Sequence, residues 1–169
     1  MRTKKVALLA VMLSLTLIIG IVEKNIPFDS FVPGVKPGLS NAVILIAVYI
    51  FDFPSSFLLV VLKCVTLALV TGNASSFIYS LSGSLLSFFV MWITVFLTKN
   101  NKNVSPVGIS VLGAVFHNFG QISAAAFMLG TVNVVYYLPV LVIFGVITGV
   151  IVGLTVKYSI AHIKKLFYM

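Results

Sequence analysis

The stretch Phe57-Leu58-Leu59-Val60-Val61-Leu62-Lys63-Cys64-Val65-Thr66-Leu67-Ala68-Leu69-Val70 is apolar on both sides of one lysine. It has the composition of a helix that crosses a bilayer, whose hydrocarbon core asks for about 20 apolar residues. A cation near the midplane costs roughly 2.5–3.5 kcal/mol on insertion scales. A chain that keeps such a residue supplies a partner for it. A second polar island, His117-Asn118-Phe119-Gly120-Gln121, lies equally deep in another apolar run. Two polar sites in an otherwise hydrocarbon-facing scaffold point to a polar or anionic ligand handled within the membrane.

The composition agrees. Of 169 residues, 60% are hydrophobic and 8% charged, with a mean hydropathy of +1.20. Soluble domains carry about 25% charged residues, so lipid is the solvent for most of this chain. Residues 1–169 read as a single integral membrane domain. The one cysteine, Cys64, excludes an internal disulfide and a multi-cysteine metal site. The net charge of +8 does not indicate nucleic acid, because the basic residues sit at helix ends rather than along one face. Met1-Arg2-Thr3-Lys4-Lys5 and the apolar run to Val22 are signal-peptide-like, but no small-x-small cleavage site precedes Glu23-Lys24. The segment is read as an uncleaved first span.

The expected fold is an all-α membrane protein of six transmembrane helices, at about 4–22, 39–51, 55–70, 75–98, 106–129 and 134–160. The second is short for a span. Proline and glycine at Pro27, Pro33, Gly34, Pro37 and Gly38 make 23–38 a loop. With six spans, Arg2, Lys4, Lys5, Lys99, Lys102, Lys157, Lys164 and Lys165 share one side, and Lys24 and Lys36 the other. The positive-inside rule places both termini in the cytoplasm and loop 23–38 outside, as a lid. The expected setting is a prokaryotic cell membrane.

His117 and Gln121 are four residues apart and Asn118 and Gln121 three, so the three are expected on one stripe facing protein or water. The plain alternative is interhelical hydrogen bonding, at about 0.6 kcal/mol per bond. Lys63 has no acid inside any expected span. It suits a ligand carboxylate or phosphate, or caps helix carbonyls. Lys36 and Asn41 flank the start of the second helix, where N–H groups favour anions; a simple cap by Ser40 or Asn41 is the alternative. Tyr79, Tyr136 and Tyr137 fall near outer helix ends, as ligand-stacking or interfacial belt residues. These groups are expected to enclose a pocket open to the exterior. Gly145, Gly149 and Gly153 recur every four residues and suit close helix packing, while Ala7, Ala10 and Ser14 form a looser small face that could dock a partner.

The absences narrow the chemistry. No phosphate-binding glycine loop with Lys-Ser/Thr is present, so the chain does not hydrolyse ATP. Its three acids, Glu23, Asp29 and Asp52, are scattered. Prenyl-diphosphate chemistry needs magnesium held by clustered carboxylates. No catalytic residue, metal site or cofactor is expected.

Val32-Pro33-Gly34-Val35-Lys36-Pro37-Gly38-Leu39-Ser40-Asn41 resembles a signature of the Gx transporter family. Gly108-Ile109-Ser110-Val111-Leu112-Gly113-Ala114-Val115-Phe116-His117-Asn118-Phe119-Gly120-Gln121 resembles its fifth-helix signature, and Tyr136-Tyr137-Leu138-Pro139-Val140 its approach to the sixth. That family is also labelled heptaprenyl diphosphate synthase component I. It looks related to the S components of energy-coupling factor (ECF) transporters. The resemblance implies a six-helix bundle with a ligand site near the outer face, under a lid between helices 1 and 2. It also implies docking of a transmembrane coupling protein on helix 1, with two separate ATPase subunits supplying energy. The ligand would be a small vitamin-like molecule or an isoprenoid or quinone precursor. Two other functions fit the same residues: a non-catalytic membrane component of polyprenyl diphosphate or menaquinone synthesis, and a quinone-linked subunit of membrane electron transfer.

Overall fold

A computed structural model describes residues 2–24, 38–72, 74–98 and 104–167. Six α-helices occur among them: α1 (Arg2–Lys24), α2 (Asn41–Ile50), α3 (Phe53–Thr71), α4 (Ala74–Thr98), α5 (Pro106–Leu129) and α6 (Leu138–Phe167). Five of these, α1, α3, α4, α5 and α6, are long and apolar enough to cross a membrane. Their outer faces carry the composition of a lipid-facing surface, with Leu69, Phe96, Phe127 and Ile143 all exposed.

Helix α2 differs from the others. It has 10 residues, about 15 Å at 1.5 Å per residue, which is half a hydrocarbon core. The expected 39–51 contracts because Leu39 and Ser40 form the turn that leads into it, and Phe51 is already extended at its end. Its length is offset by position. Helix α2 touches α1, α3, α4, α5 and α6, and Ile44, Leu45 and Ala47 are fully enclosed. It is the buried axis around which the longer helices stand.

The boundaries follow from local chemistry. Pro54 and Pro106 lie in the first turns of α3 and α5, where the missing N–H costs nothing. Gly72 and Gly130 end α3 and α5 in the left-handed conformation. The sixth helix departs from the expected 134–160. Residues Val132–Tyr137 form a 3-10 helix capped by Thr131, and the α-helix begins only at Leu138. Pro139 explains this: it lacks an amide donor and is tolerated only in a first turn. Beyond 160 the helix continues to Phe167.

Glycines set the spacing around α5. A Cβ at Gly149 would lie 2.8 Å from Val111 Cα, and one at Gly120 would lie 2.7 Å from the Ser82 carbonyl oxygen. Helix α5 is thus clasped between α4 and α6 at near backbone contact. At one end of the bundle, Phe53, Phe57, Phe88, Phe89 and Trp92 form an aromatic cluster with centroids 5.3–6.3 Å apart. Lys5 of α1 pairs there with Asp52, which ties α1 to the turn between α2 and α3.

Candidate functional site

Lys63 stands near the middle of α3 and is 1% exposed. Its Nζ donates to Asn41 Oδ1 at 2.8 Å and to Ser84 Oγ at 3.3 Å. The first partner opens α2 and the second lies in α4, so the lysine joins three helices. Among the described residues no carboxylate lies within ion-pair distance of it. Its hydrogen-bonding groups are met by neutral oxygens.

Asn41 is buried at the head of α2 and its amide is only half used. The oxygen accepts from Lys63, while Nδ2 finds no acceptor among the described residues. Gly38 brings the chain to this point at φ +79°, a conformation that favours glycine. A Cβ at Gly38 would sit 2.9 Å from the His117 ring and 3.2 Å from Asn41 Nδ2. Gly38, Asn41 and His117 therefore converge, and only glycine fits between them.

His117 and Gln121 both face α4 at Gly83. A Cβ there would lie 2.9 Å from His117 Cε1 and 2.8 Å from Gln121 Cγ. The adjacent Ser84 receives Lys63. The Gly83-Ser84 pair is thus the meeting point of the two polar islands, which are 54 residues apart in the chain.

Asn118 departs from the expected common stripe. Its Nδ2 donates to the Leu141 carbonyl oxygen of α6 at 2.5 Å, on the opposite side of α5. A residue adjacent to His117 is rotated about 100° around the helix from it. The spacing to Gln121 places Asn118 within reach of a shared face, but the close approach of Gly145 draws it the other way. Its bond is the interhelical kind.

The first N–H groups of α2 are taken by the chain itself, Asn41 N donating to the Gly38 carbonyl oxygen and Ala42 N to that of Leu39, each at 3.0 Å, and the turn before them holds an anion of the chain's own. Glu23, at the end of α1, is 2% exposed, and its carboxylate accepts from the Leu39 amide and from Ser40 Oγ at 3.0 Å. Sequence reading passed over Glu23 as an ordinary residue of the outer helix end. The buried serines of α4, Ser76, Ser80, Ser84 and Ser87, were also passed over. The spacing of four from Ser76 to Ser84 was the available signal.

The remaining expected residues lie elsewhere. Tyr79 is buried in an apolar cluster with Ile122, Ala125, Val134 and Leu141. Tyr136 is 83% exposed and Tyr137 43%, so neither is enclosed with Lys63. Lys36 and the segment 25–37, the greater part of the expected lid, lie outside the described residues. Ala7, Ala10 and Ser14 are exposed on α1, with Ser14 Oγ donating to the Ala10 carbonyl oxygen. Gly145, Gly149 and Gly153 face α5.

The expected open pocket is corrected in this conformation. A cavity of about 10 Å³ flanks Gly38, Asn41, Ser110 and Thr148, room for about one water. The polar groups close on one another, so ligand-sized space at the cluster requires the α2 head to part from His117. The larger cavity, of about 500 Å³, lies at the other end of the bundle. Among the described residues no cluster of His, Cys, Asp and Glu could hold a metal ion.

The chain belongs to the family described as heptaprenyl diphosphate synthase component I, whose model matches residues 12–159. This is the Gx transporter family of the sequence motifs. No curated protein matches the chain, and no solved structure does.

Proposed function

We propose that this chain is the substrate-capturing membrane subunit of an ECF-type transporter, with six spans and cytoplasmic termini, in a prokaryotic cell membrane. It takes a small ligand from the outer side that carries a hydrogen-bond-accepting, anionic group. One observation carries this reading: a buried lysine and a buried amide donor stand side by side at the head of α2. Lys63 has neutral partners, and Asn41 Nδ2 has none among the described residues. A ligand carboxylate or phosphate would satisfy both, with His117 and Gln121 beside it. The buried Asn41 donor without an acceptor costs about 1–3 kcal/mol, which a ligand that supplies the acceptor would recover.

Access follows from Gly38 and α2. The α2 head parts from His117 to admit the ligand; most of the lid expected over 23–38 lies outside the described residues. The exposed Tyr136 and Tyr137 serve the outer approach. The exposed Ala7, Ala10 and Ser14 face of α1 receives the transmembrane coupling protein, and two ATPase subunits supply the energy that this chain has no motif to supply. The chain performs no catalysis.

The test is native mass spectrometry of the gently purified protein. A co-purified small molecule is expected with the wild type and is absent from Lys63→Met. A wild type that carries no small molecule under conditions that retain the ATPase partners overturns the proposal. The family description favours a second reading, in which the subunit presents an isoprenoid or quinone substrate to a separate synthase chain. Co-purification of a prenyltransferase in place of ATPases would select it.

A further inference from the structure

The cavity of about 500 Å³ lies far from the polar cluster, between the ends of α2, α4 and α6 and the start of α5. Its size is that of a ligand site, which typically encloses 300–1,000 Å³. Its walls are apolar and aromatic, with Tyr49, Trp92, Val95 and Phe96 among them. One wall is packed on an aromatic cluster: Trp92 meets Phe53 edge-on at 5.3 Å and Phe88 at 6.0 Å. Among the described residues that line it, Lys157 is the charged one; it is exposed and has no ion-pair partner among the described residues. The rim also includes Pro106 at the start of α5, the positive end of that helix dipole. Asp52, the acid at this end, is engaged by Lys5 and Ser55.

An apolar cleft under a positive rim, at the ends of membrane-crossing helices, has the complementarity of an anionic amphiphile. Basic pockets between transmembrane helices take lipid head groups in this way. We propose that this cavity seats an acyl chain of an anionic phospholipid against Trp92, with its phosphate at Lys157. The site is separate from the polar cluster and stands whatever the cluster binds.

Trp92 is the sole tryptophan of the chain, so its fluorescence reports on this wall alone. The protein in neutral detergent is titrated with phosphatidylglycerol brominated in its acyl chains. Quenching is expected to saturate, with brominated phosphatidylcholine needing about fivefold more lipid and Lys157→Gln removing that difference. Lys157 is exposed, so the variant keeps its fold, which circular dichroism checks. The proposal is overturned if the two lipids quench at the same concentration, or if Lys157→Gln leaves the phosphatidylglycerol curve unmoved. Relief of quenching by an equal concentration of unbrominated farnesyl phosphate also overturns it, since the occupant is then an isoprenoid and not a phospholipid.

Discussion

Lys63 Nζ lies 2.8 Å from Asn41 Oδ1, and this bond pins the head of the short helix α2 to the middle of α3. The two residues are 22 positions apart, and each alone would be a liability in an apolar bundle. Together they leave one amide donor over. Lys63→Met is expected to abolish ligand binding and to leave the Asn41 oxygen without a donor, at about 1–3 kcal/mol. Adding Asn41→Leu removes the orphan as well. Thermal unfolding in detergent should therefore show the double variant more stable than Lys63→Met alone. A double variant that melts lower would mean that the pair is held for stability rather than for a ligand.

Glu23 ties the turn that precedes α2 to the end of α1, through the Leu39 amide and the Ser40 hydroxyl. Ser40 makes no side-chain bond to the helix backbone; its hydroxyl donates a hydrogen bond to Glu23 instead. Glu23→Ala leaves the Leu39 amide and the Ser40 hydroxyl without their acceptor and is expected to cost about 1–3 kcal/mol. Glu23→Gln keeps an oxygen for the Leu39 amide and is expected to recover most of that. The melting temperatures of the two variants check this, with Glu23→Ala the lower.

Gly145 and Asn118 form a second coupled pair. A Cβ at Gly145 would stand 2.5 Å from Asn118 Nδ2, inside the seat from which Asn118 reaches the Leu141 carbonyl. Gly145→Ala is expected to break that bond as well as crowd the interface. Asn118→Ala removes the same bond directly. The two losses should then fail to add, with the double variant more stable than their sum by about 0.5–3 kcal/mol. Additive effects in chemical denaturation would separate the glycine from the asparagine.

The long helices were legible because length and hydropathy alone decide them, and Lys63, His117 and Gln121 because polar groups in hydrocarbon are conspicuous. Asn41 was legible from its place after a proline-glycine turn. What stayed hidden depended on packing. Glu23 looks like any acid at a helix end until the chain returns to set α2 beside it. Ser84 is one serine among many in α4 until Lys63 points at it. Asn118 sits next to His117 in sequence, yet a rotation of about 100° sends it to a different helix. The 3-10 start of the sixth helix was signalled by Pro139, but the apolar pattern runs straight through it. The closed state of the polar cluster has no sequence signal, because it depends on how near α2 stands to His117.

Lys5 and Asp52 supply the pH dependence. The hydrogen bond from Lys5 holds the Asp52 carboxyl below its usual range, with Ser55 adding to it. A carboxylate whose folded pKa is depressed contributes stability above its unfolded pKa, near 3.9, and loses it as pH falls through the folded value. The pair is exposed, 41% and 53% for the two side chains, so solvent and salt screen it and the effect is small. In low salt the wild type is expected to lose melting temperature as pH falls from 5 towards 3, and Lys5→Met to lose less over that window. Raising the ionic strength should bring the two curves together. A slope that is the same in both proteins at low salt would show that Asp52 gains nothing from Lys5. The tie between α1 and the α2–α3 turn would then rest on apolar contact alone.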